Sequence, residues 1–276
     1  MKESWGSKYL AEFIGTYILC FFGLGAVFVA VYVGAFKDLL PVMWLWAFAV
    51  VLAVYVGATV SGAHYNPSVT IALAVWKGFP WKQVVPFIVS QTVGAFFAAL
   101  TLWVLFQGFA APFEAANHLV RGQFGSQLSA MVFTCYIPNP GIVGFTPEAY
   151  AKVPLMVGFL SECIGTALLV LMIFVLLEQR NALVPHISQF PLILGVGVFA
   201  IVAITAPLSM ASLNGARDLG PRILAYFLGW GEMAIPGPRG EFLILSLAPI
   251  VGGVLGGFIY EKILLPLYPP ANPPPG

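Results

Sequence analysis

The sequence predicts an all-α membrane protein: six spanning helices and two re-entrant half-helices in an inverted 3+3 repeat. Three observations carry this expectation. Hydrophobic residues fill 60% of the 276 positions and charged residues only 8%, whereas about a quarter of a soluble domain is charged. The apolar sequence divides into about six runs of roughly 20 residues, the length that crosses a bilayer. Two polar, small-residue interruptions stand at matching places in the two halves: Ser61-Gly62-Ala63-His64-Tyr65-Asn66-Pro67-Ser68, and Ser209-Met210-Ala211-Ser212-Leu213-Asn214-Gly215-Ala216-Arg217-Asp218.

The first apolar run, 9–33, follows Lys2, Glu3 and Lys8. It is too long for a signal-peptide core and reads as a retained span. The second, 41–60, leads into the first interruption. Asn66 there is a favoured N-cap and Pro67 a favoured first helical residue. The segment they open, 67–76, is too short to cross, so it reads as a half-helix that dips in and stops at Lys77-Gly78-Phe79-Pro80. The third span covers 82–106. A polar, proline-bearing connection, 107–152, divides the chain into a first repeat, 8–106, and a second, 153–264. Both belong to one channel-like domain covering the whole chain. The second repeat holds spans at 153–177, 190–207 and 241–264, with a second half-helix running from Asn214 to about Leu228. The end, 265–276, is proline-rich and reads as a disordered tail.

The halves also match away from the interruptions. Ala11-Glu12-Phe13-Ile14-Gly15-Thr16 returns as Ser161-Glu162-Cys163-Ile164-Gly165-Thr166, and Asn66 returns as Asn214, both ~150 residues on. Three spans per half is an odd number, so the second half enters from the opposite side and the half-helices meet near the midplane. With the N-terminus cytoplasmic, that side carries Lys2, Lys8, Lys77, Lys82, Arg180 and Lys262, and the far side Lys37, Arg121, Lys152 and Arg239. The larger set favours both termini inside.

Two half-helix N-termini facing each other make a positive centre from backbone N–H groups alone. Such a centre opposes cations and protons. Asn66 and Asn214 can offer side-chain donors to a passing oxygen; the alternative is that they only cap turns. The carbonyls of Gly62, Ala63 and His64, and of Met210, Ala211 and Ser212, form candidate acceptor ladders. Donors at the centre and acceptors along the wall suit neutral, hydroxyl-bearing molecules, water included. Arg217 is an intramembrane charge, a functional candidate by default. Asp218 and Arg222 are spaced for a local ion pair. Glu12 and Glu162 read as acceptors for the re-entrant backbone; a proton relay in a coupled secondary transporter is the other reading. His64 reads as a packed ring whose carbonyl matters. The glycines of spans 1, 3 and 6 read as close helix contacts. Cys20, Cys135 and Cys163 lack CxxC spacing and read as buried apolar fillers. Phosphate-binding, zinc-protease and nucleophile-elbow patterns do not occur. No enzyme activity, cofactor, metal or nucleic-acid partner is therefore expected, and solute movement follows its own gradient.

These residues resemble the major intrinsic protein family, the glycerol-facilitator branch in particular, over about 8–264. The first loop is similar to that family's SGAHxNPA, with Ser68 at the end, and the second to NPARDxGPR, with Gly215 in place of proline and Ala216 retained. Asp218 is the residue that branch uses, and Phe113-Glu114, His118-Leu119-Val120-Arg121-Gly122 and Pro138-Asn139-Pro140 resemble its long loop. The resemblance implies a homotetramer of independent pores in the lipid of the cell membrane. It implies passive conduction of glycerol and related polyols with water. The alternatives are a water-selective channel, or one for urea, undissociated small acids or metalloid hydroxides. By spacing from the two Asn residues it implies a selectivity filter of Trp46, Val202, Ala211 and Arg217, a set similar to that of plant nodulin-like members. Two departures stand out. Gly215 is expected to loosen the second loop and weaken the positioning of Asn214. Leu245-Ser246 stands where the glycerol branch usually has Pro-Leu.

Overall fold

The computed structural model describes residues 4–181, 183–184 and 186–269. Among them, six helices are long and apolar enough to cross a membrane. The first half contains α1 (Trp5–Phe28, continued by a wider turn to Val33), α2 (Leu40–Ser61), the half-helix α3 (Pro67–Trp76) and α4 (Trp81–Ala116). Two short pieces follow, α5 (Gln127–Ala130) and α6 (Pro147–Lys152). The second half contains α7 (Leu155–Leu176), α8 (Phe190–Ser209), the half-helix α9 (Gly215–Ala225) and α10 (Phe242–Phe258), which continues in tighter and wider turns to Leu267.

The half-helices have 10 and 11 residues, half of what a crossing needs. Each begins at its predicted Asn. Asn66 and Asn214 have extended backbones, with φ of −155° and −152°. The side-chain oxygen of Asn66 accepts from the Ser68 N–H; that of Asn214 accepts from the N–H groups of Ala216 and Arg217. These caps satisfy donors that would otherwise be orphaned inside a membrane.

Packing repeats across the two halves. α1 lies against α2 and α4, and α7 lies against α8 and α10. Each half-helix packs against the last span of the other half, α3 on α10 and α9 on α4, while α2 meets α8. Small residues allow these approaches. A Cβ placed on Gly252 of α10 would sit 2.1 Å from the Cys163 carbonyl oxygen, and one on Gly94 of α4 would sit 2.4 Å from that of Phe13. Without a hydrophobic force between helices in lipid, such contact is a principal source of association.

The third span and the connection differ from the sequence expectation. The helix does not stop near 106 but runs to Ala116 with Pro112 inside it. Its extra turns are held by packing: Ala110 is buried and the Phe113 ring lies 5.5 Å from that of Tyr32. The connection then folds back into the protein, and residues 129–140 are all buried. Val132, Phe133 and Ile137 join the main apolar core with Phe28, Leu102 and Trp230. An ion pair fastens this return. Arg121 Nη2 lies 2.8 Å from Glu114 Oε2, and Nη1 donates to the Leu228 carbonyl. Of the expected disordered tail, 265–267 form one helical turn, and 270–276 lie outside the described residues.

The glycine contacts give a direct test. Gly252→Ala is expected to lower the thermal midpoint in detergent, equivalent to about 1–3 kcal/mol of overpacking. Gly108→Ala, where a Cβ meets nothing within 4 Å, is expected to leave the midpoint unchanged or slightly raised.

Candidate functional site

The two re-entrant loops repeat one unusual backbone. Gly62, Ala63 and Tyr65 have φ of 90°, 54° and 49°; Met210, Ala211 and Leu213 have 60°, 50° and 52°. Among the described residues only one other non-glycine, His118, has positive φ. For the five non-glycine residues such conformations cost on the order of 1–3 kcal/mol each and persist only where the surroundings enforce them.

The enforcement comes from two carboxylates. Glu12 Oε1 accepts from the His64 N–H at 3.0 Å and the Ser61 hydroxyl at 2.6 Å; Oε2 accepts from the Tyr65 N–H at 2.8 Å and Gln91 Nε2 at 2.7 Å. Glu162 Oε1 accepts from the Ser212 N–H at 2.8 Å and Oε2 from the Leu213 N–H at 2.6 Å. In each loop the carboxylate takes the two N–H groups just before the Asn. The carbonyls of Gly62, Ala63, His64, Ala211 and Ser212 meet no donor from the described residues. Gly15 and Gly165, one turn along from the two carboxylates, make the room. A Cβ on either would clash with Tyr65 or Leu213 at 2.0 and 2.7 Å.

The loops also lock each other. Asn66 Nδ2 donates to the Leu213 carbonyl at 2.8 Å, and Asn214 Nδ2 to the Tyr65 carbonyl at 2.7 Å. An amide nitrogen has two hydrogens, so each Asn spends one on the opposite loop and keeps one. Sequence reasoning missed this exchange, because no local pattern shows which carbonyl a residue ~150 positions away will meet.

A narrow cavity of about 90 Å³ runs past the loops. Ala63, His64, Asn66, Ala211, Ser212 and Asn214 line it, and the rest of its wall is largely aliphatic. A second, wider space of about 430 Å³ lies beyond, and Trp46, Val202 and Arg217 line both. Those three residues therefore stand at the junction, with Ala211 on the inner side. Of the predicted ladder, Met210 lines only the wider space and Gly62 neither. Trp46 fits because α1 has glycine at 23; a Cβ there would lie 2.3 Å from the indole. The Arg217 guanidinium sits 4.7 Å from the Trp46 ring centre. In the first repeat the residue three after the Asn is Val69, also buried on the cavity wall. The scaffold is thus duplicated but its cation is not.

The sequence profile described as Major intrinsic protein matches residues 2–260. The chain belongs to the major intrinsic protein family. It is similar to the glycerol uptake facilitator protein of Haemophilus influenzae, 36% identical, with 96% of each chain covered. It is 38% identical to that of Escherichia coli K12, over 92% of this chain and 87% of the other. It is 36% identical to the propanediol uptake facilitator PduF of Salmonella typhimurium, over 96% of each. The X-ray structure of the aquaglyceroporin from Plasmodium falciparum superimposes with a TM-score of 0.81 at 26% identity, covering 96% of this chain and 98% of that one.

In this member of the family, Asp218 and Arg222 of α9 form the expected ion pair, Nε to Oδ2 at 2.8 Å, fully buried. The pair does more than brace its own helix. Asp218 Oδ1 also accepts from the Thr134 hydroxyl and the Cys135 N–H, both at 2.8 Å, and Arg222 Nη2 donates to the Cys135 carbonyl at 2.7 Å. The connection is therefore clamped onto the half-helix. Asn139 fixes it again, donating to the carbonyls of Ala206 and Pro207 at the end of α8. His64 is packed as expected, its Nδ1 3.1 Å from Thr70 Oγ1 and its ring against Phe79 and Phe87.

Two expectations are corrected. Cys135 is not an apolar filler: its sulfur contacts Arg217 Nη1 at 2.6 Å. Asn214 is not held more weakly than Asn66. It accepts two backbone hydrogens where Asn66 accepts one, and Gly215 takes the first helical position as Pro67 does in α3. A Cβ on Gly215 meets nothing closer than 3.9 Å. Gly215→Pro is accordingly expected to raise stability by about 0.4–1 kcal/mol through the unfolded chain with conduction retained, read as a higher thermal midpoint beside unchanged vesicle permeability. A lowered midpoint would mean that the site needs backbone freedom.

Proposed function

We propose that this chain is a passive channel for glycerol and related small polyols that also passes water. One observation carries the reading: the free donors of Asn66 and Asn214 face unpaired loop carbonyls across a largely aliphatic cavity whose wider end is set by Arg217 and Trp46. A hydroxyl taken from water into an apolar space without a partner costs about 2–7 kcal/mol. Here each hydroxyl finds a donor or a carbonyl at every stage, while the carbon backbone slides along the aliphatic wall. Trp46, Val202, Ala211 and Arg217 act as the filter. Ala63, His64, Ala211 and Ser212 supply the acceptors, and Asn66 and Asn214 turn the solute at the centre. The Arg217 charge and the two half-helix N-termini oppose cations and protons.

The names of the relatives, glycerol and propanediol uptake facilitators, agree with this reading. Val202 and Ala211 leave one side of the filter wide and apolar, which also favours diols with fewer hydroxyls than glycerol. The lipid-facing apolar surface and the family fold support a homotetramer of independent pores in the cell membrane. The distribution of lysine and arginine supports cytoplasmic termini.

Stopped-flow light scattering on proteoliposomes tests the proposal. Vesicles given a glycerol gradient are expected to re-swell faster than protein-free ones, and to shrink faster in an impermeant osmolyte. Water flux without glycerol entry would make this a water channel. A proton gradient is expected to leave glycerol uptake unchanged, in the wild type and in Glu12→Gln alike, because Glu12 is saturated by loop donors. Uptake that followed the proton gradient and vanished in Glu12→Gln would instead mark a coupled transporter.

A further inference from the structure

The guanidinium of Arg217 has no carboxylate within ion-pair distance among the described residues. The two carboxylates nearest in sequence or fold are committed elsewhere, Asp218 to Arg222 and Glu162 to the second loop. Arg217 is nevertheless buried, 3% exposed, and its Nε meets no partner. Its guanidinium carbon lies over the Trp46 ring, 4.7 Å from the centre. A cation attracted to a ring face is held near it but not fixed in orientation. The directional side-chain contact is with the Cys135 thiol, at Nη1.

Cys135 is itself immobilised. Its N–H is held by Asp218 and its carbonyl by Arg222, one turn further along the same half-helix. Its backbone is thereby fixed beside Arg217, and its sulfur meets Arg217 Nη1 and, at 4.0 Å, the Met210 carbonyl. We propose that Cys135 is a specificity-determining positioning residue: its sulfur stops the Arg217 guanidinium in one orientation without neutralising it. Nη2, which meets no acceptor among the described residues, is then directed to the hydroxyls of a solute. A carboxylate at this place would consume that donor and cancel the charge, whereas an aliphatic side chain would leave the rotation unset. This inference rests on the reading of Arg217 as part of the filter.

The test compares the glycerol-to-water permeability ratio in proteoliposomes for the wild type, Cys135→Val, Cys135→Ala, Cys135→Ser and Arg217→Ala at matched protein content. Valine fills the space of the thiol but accepts no hydrogen bond; serine keeps a polar group. Sulfur is a weak acceptor, so loss of its contact is expected to lower the ratio roughly three- to tenfold in the valine and alanine variants, the range of an ordinary hydrogen bond. The serine variant is expected to stay close to wild type. A valine variant with the wild-type ratio would show that the sulfur only fills space, and would overturn the proposal. So would a serine variant that falls as far as valine. If the alanine variant does not fold, valine and serine still decide the matter. Equal ratios in the wild type and Arg217→Ala would remove the filter reading itself. A change in Arg217→Ala with none in Cys135→Val would remove only the role of Cys135.

Discussion

Backbone that leaves the helix inside a membrane must find hydrogen-bond partners within the protein, and the rest of this structure depends on how that demand is met. Glu12 and Glu162 each take two consecutive N–H groups from a re-entrant loop. Taking the donors on one side of the chain leaves the acceptors on the other. The strained residues at positive φ are the geometric result, since alternate peptide planes have to turn opposite ways. One choice, a buried carboxylate facing each loop, thus supplies both the stability of the irregular segment and the polarity of the cavity wall. Gly15 and Gly165 belong to the same device, because a side chain on either would push the loop off its anchor.

A second layer of support comes from the connection between the halves. It returns into the protein and is clamped on α9 by Asp218 and Arg222, on α8 by Asn139, and on its own start by Glu114 and Arg121. Burying an ion pair is expensive unless its remaining polar atoms are satisfied. Arg222 and Asp218 meet that condition by bonding the backbone of the connection. Among the described residues the first repeat has no ion pair in that place. Where Asp218 stands in the second, the first carries Thr70, which bonds within its own loop to Asn66 and His64 and to Gln91 of α4. The added machinery lies on the side that carries Arg217.

Much of this was legible in the sequence. Spans follow from composition, and the half-helices from Asn66 and Asn214 at the head of short apolar segments, because N-capping is a local property. The inverted arrangement follows from an odd number of spans per half. Glu12, Glu162 and Asp218 hydrogen-bond as buried acceptors, which their places in the sequence suggest because each concerns a neighbour whose type the fold class already limits. The burial of 129–140 was not legible. Its prolines and polar residues have the composition of a loop, and their partners are carbonyls and an ion pair distant in the chain. Cys135 was misread for the same reason, since a lone buried thiol has the composition of filler until its neighbour is known. Pro138-Asn139-Pro140 was a usable signal that something specific occurs there, though not of what Asn139 would bind.

The unequal duplication has a further meaning. Val69 and Arg217 occupy corresponding places on the two half-helices, so the cavity wall carries an aliphatic side chain on one half-helix and a cation on the other. Such a profile is lopsided in shape, yet it contains no energy source. By microscopic reversibility its forward and backward conductances must agree when the two reservoirs are equal. On the proposed reading of Arg217 as part of the filter, that residue sorts the molecules that traverse the protein, while the direction of net flow is left to whichever compartment removes the solute, for instance by converting it into something charged.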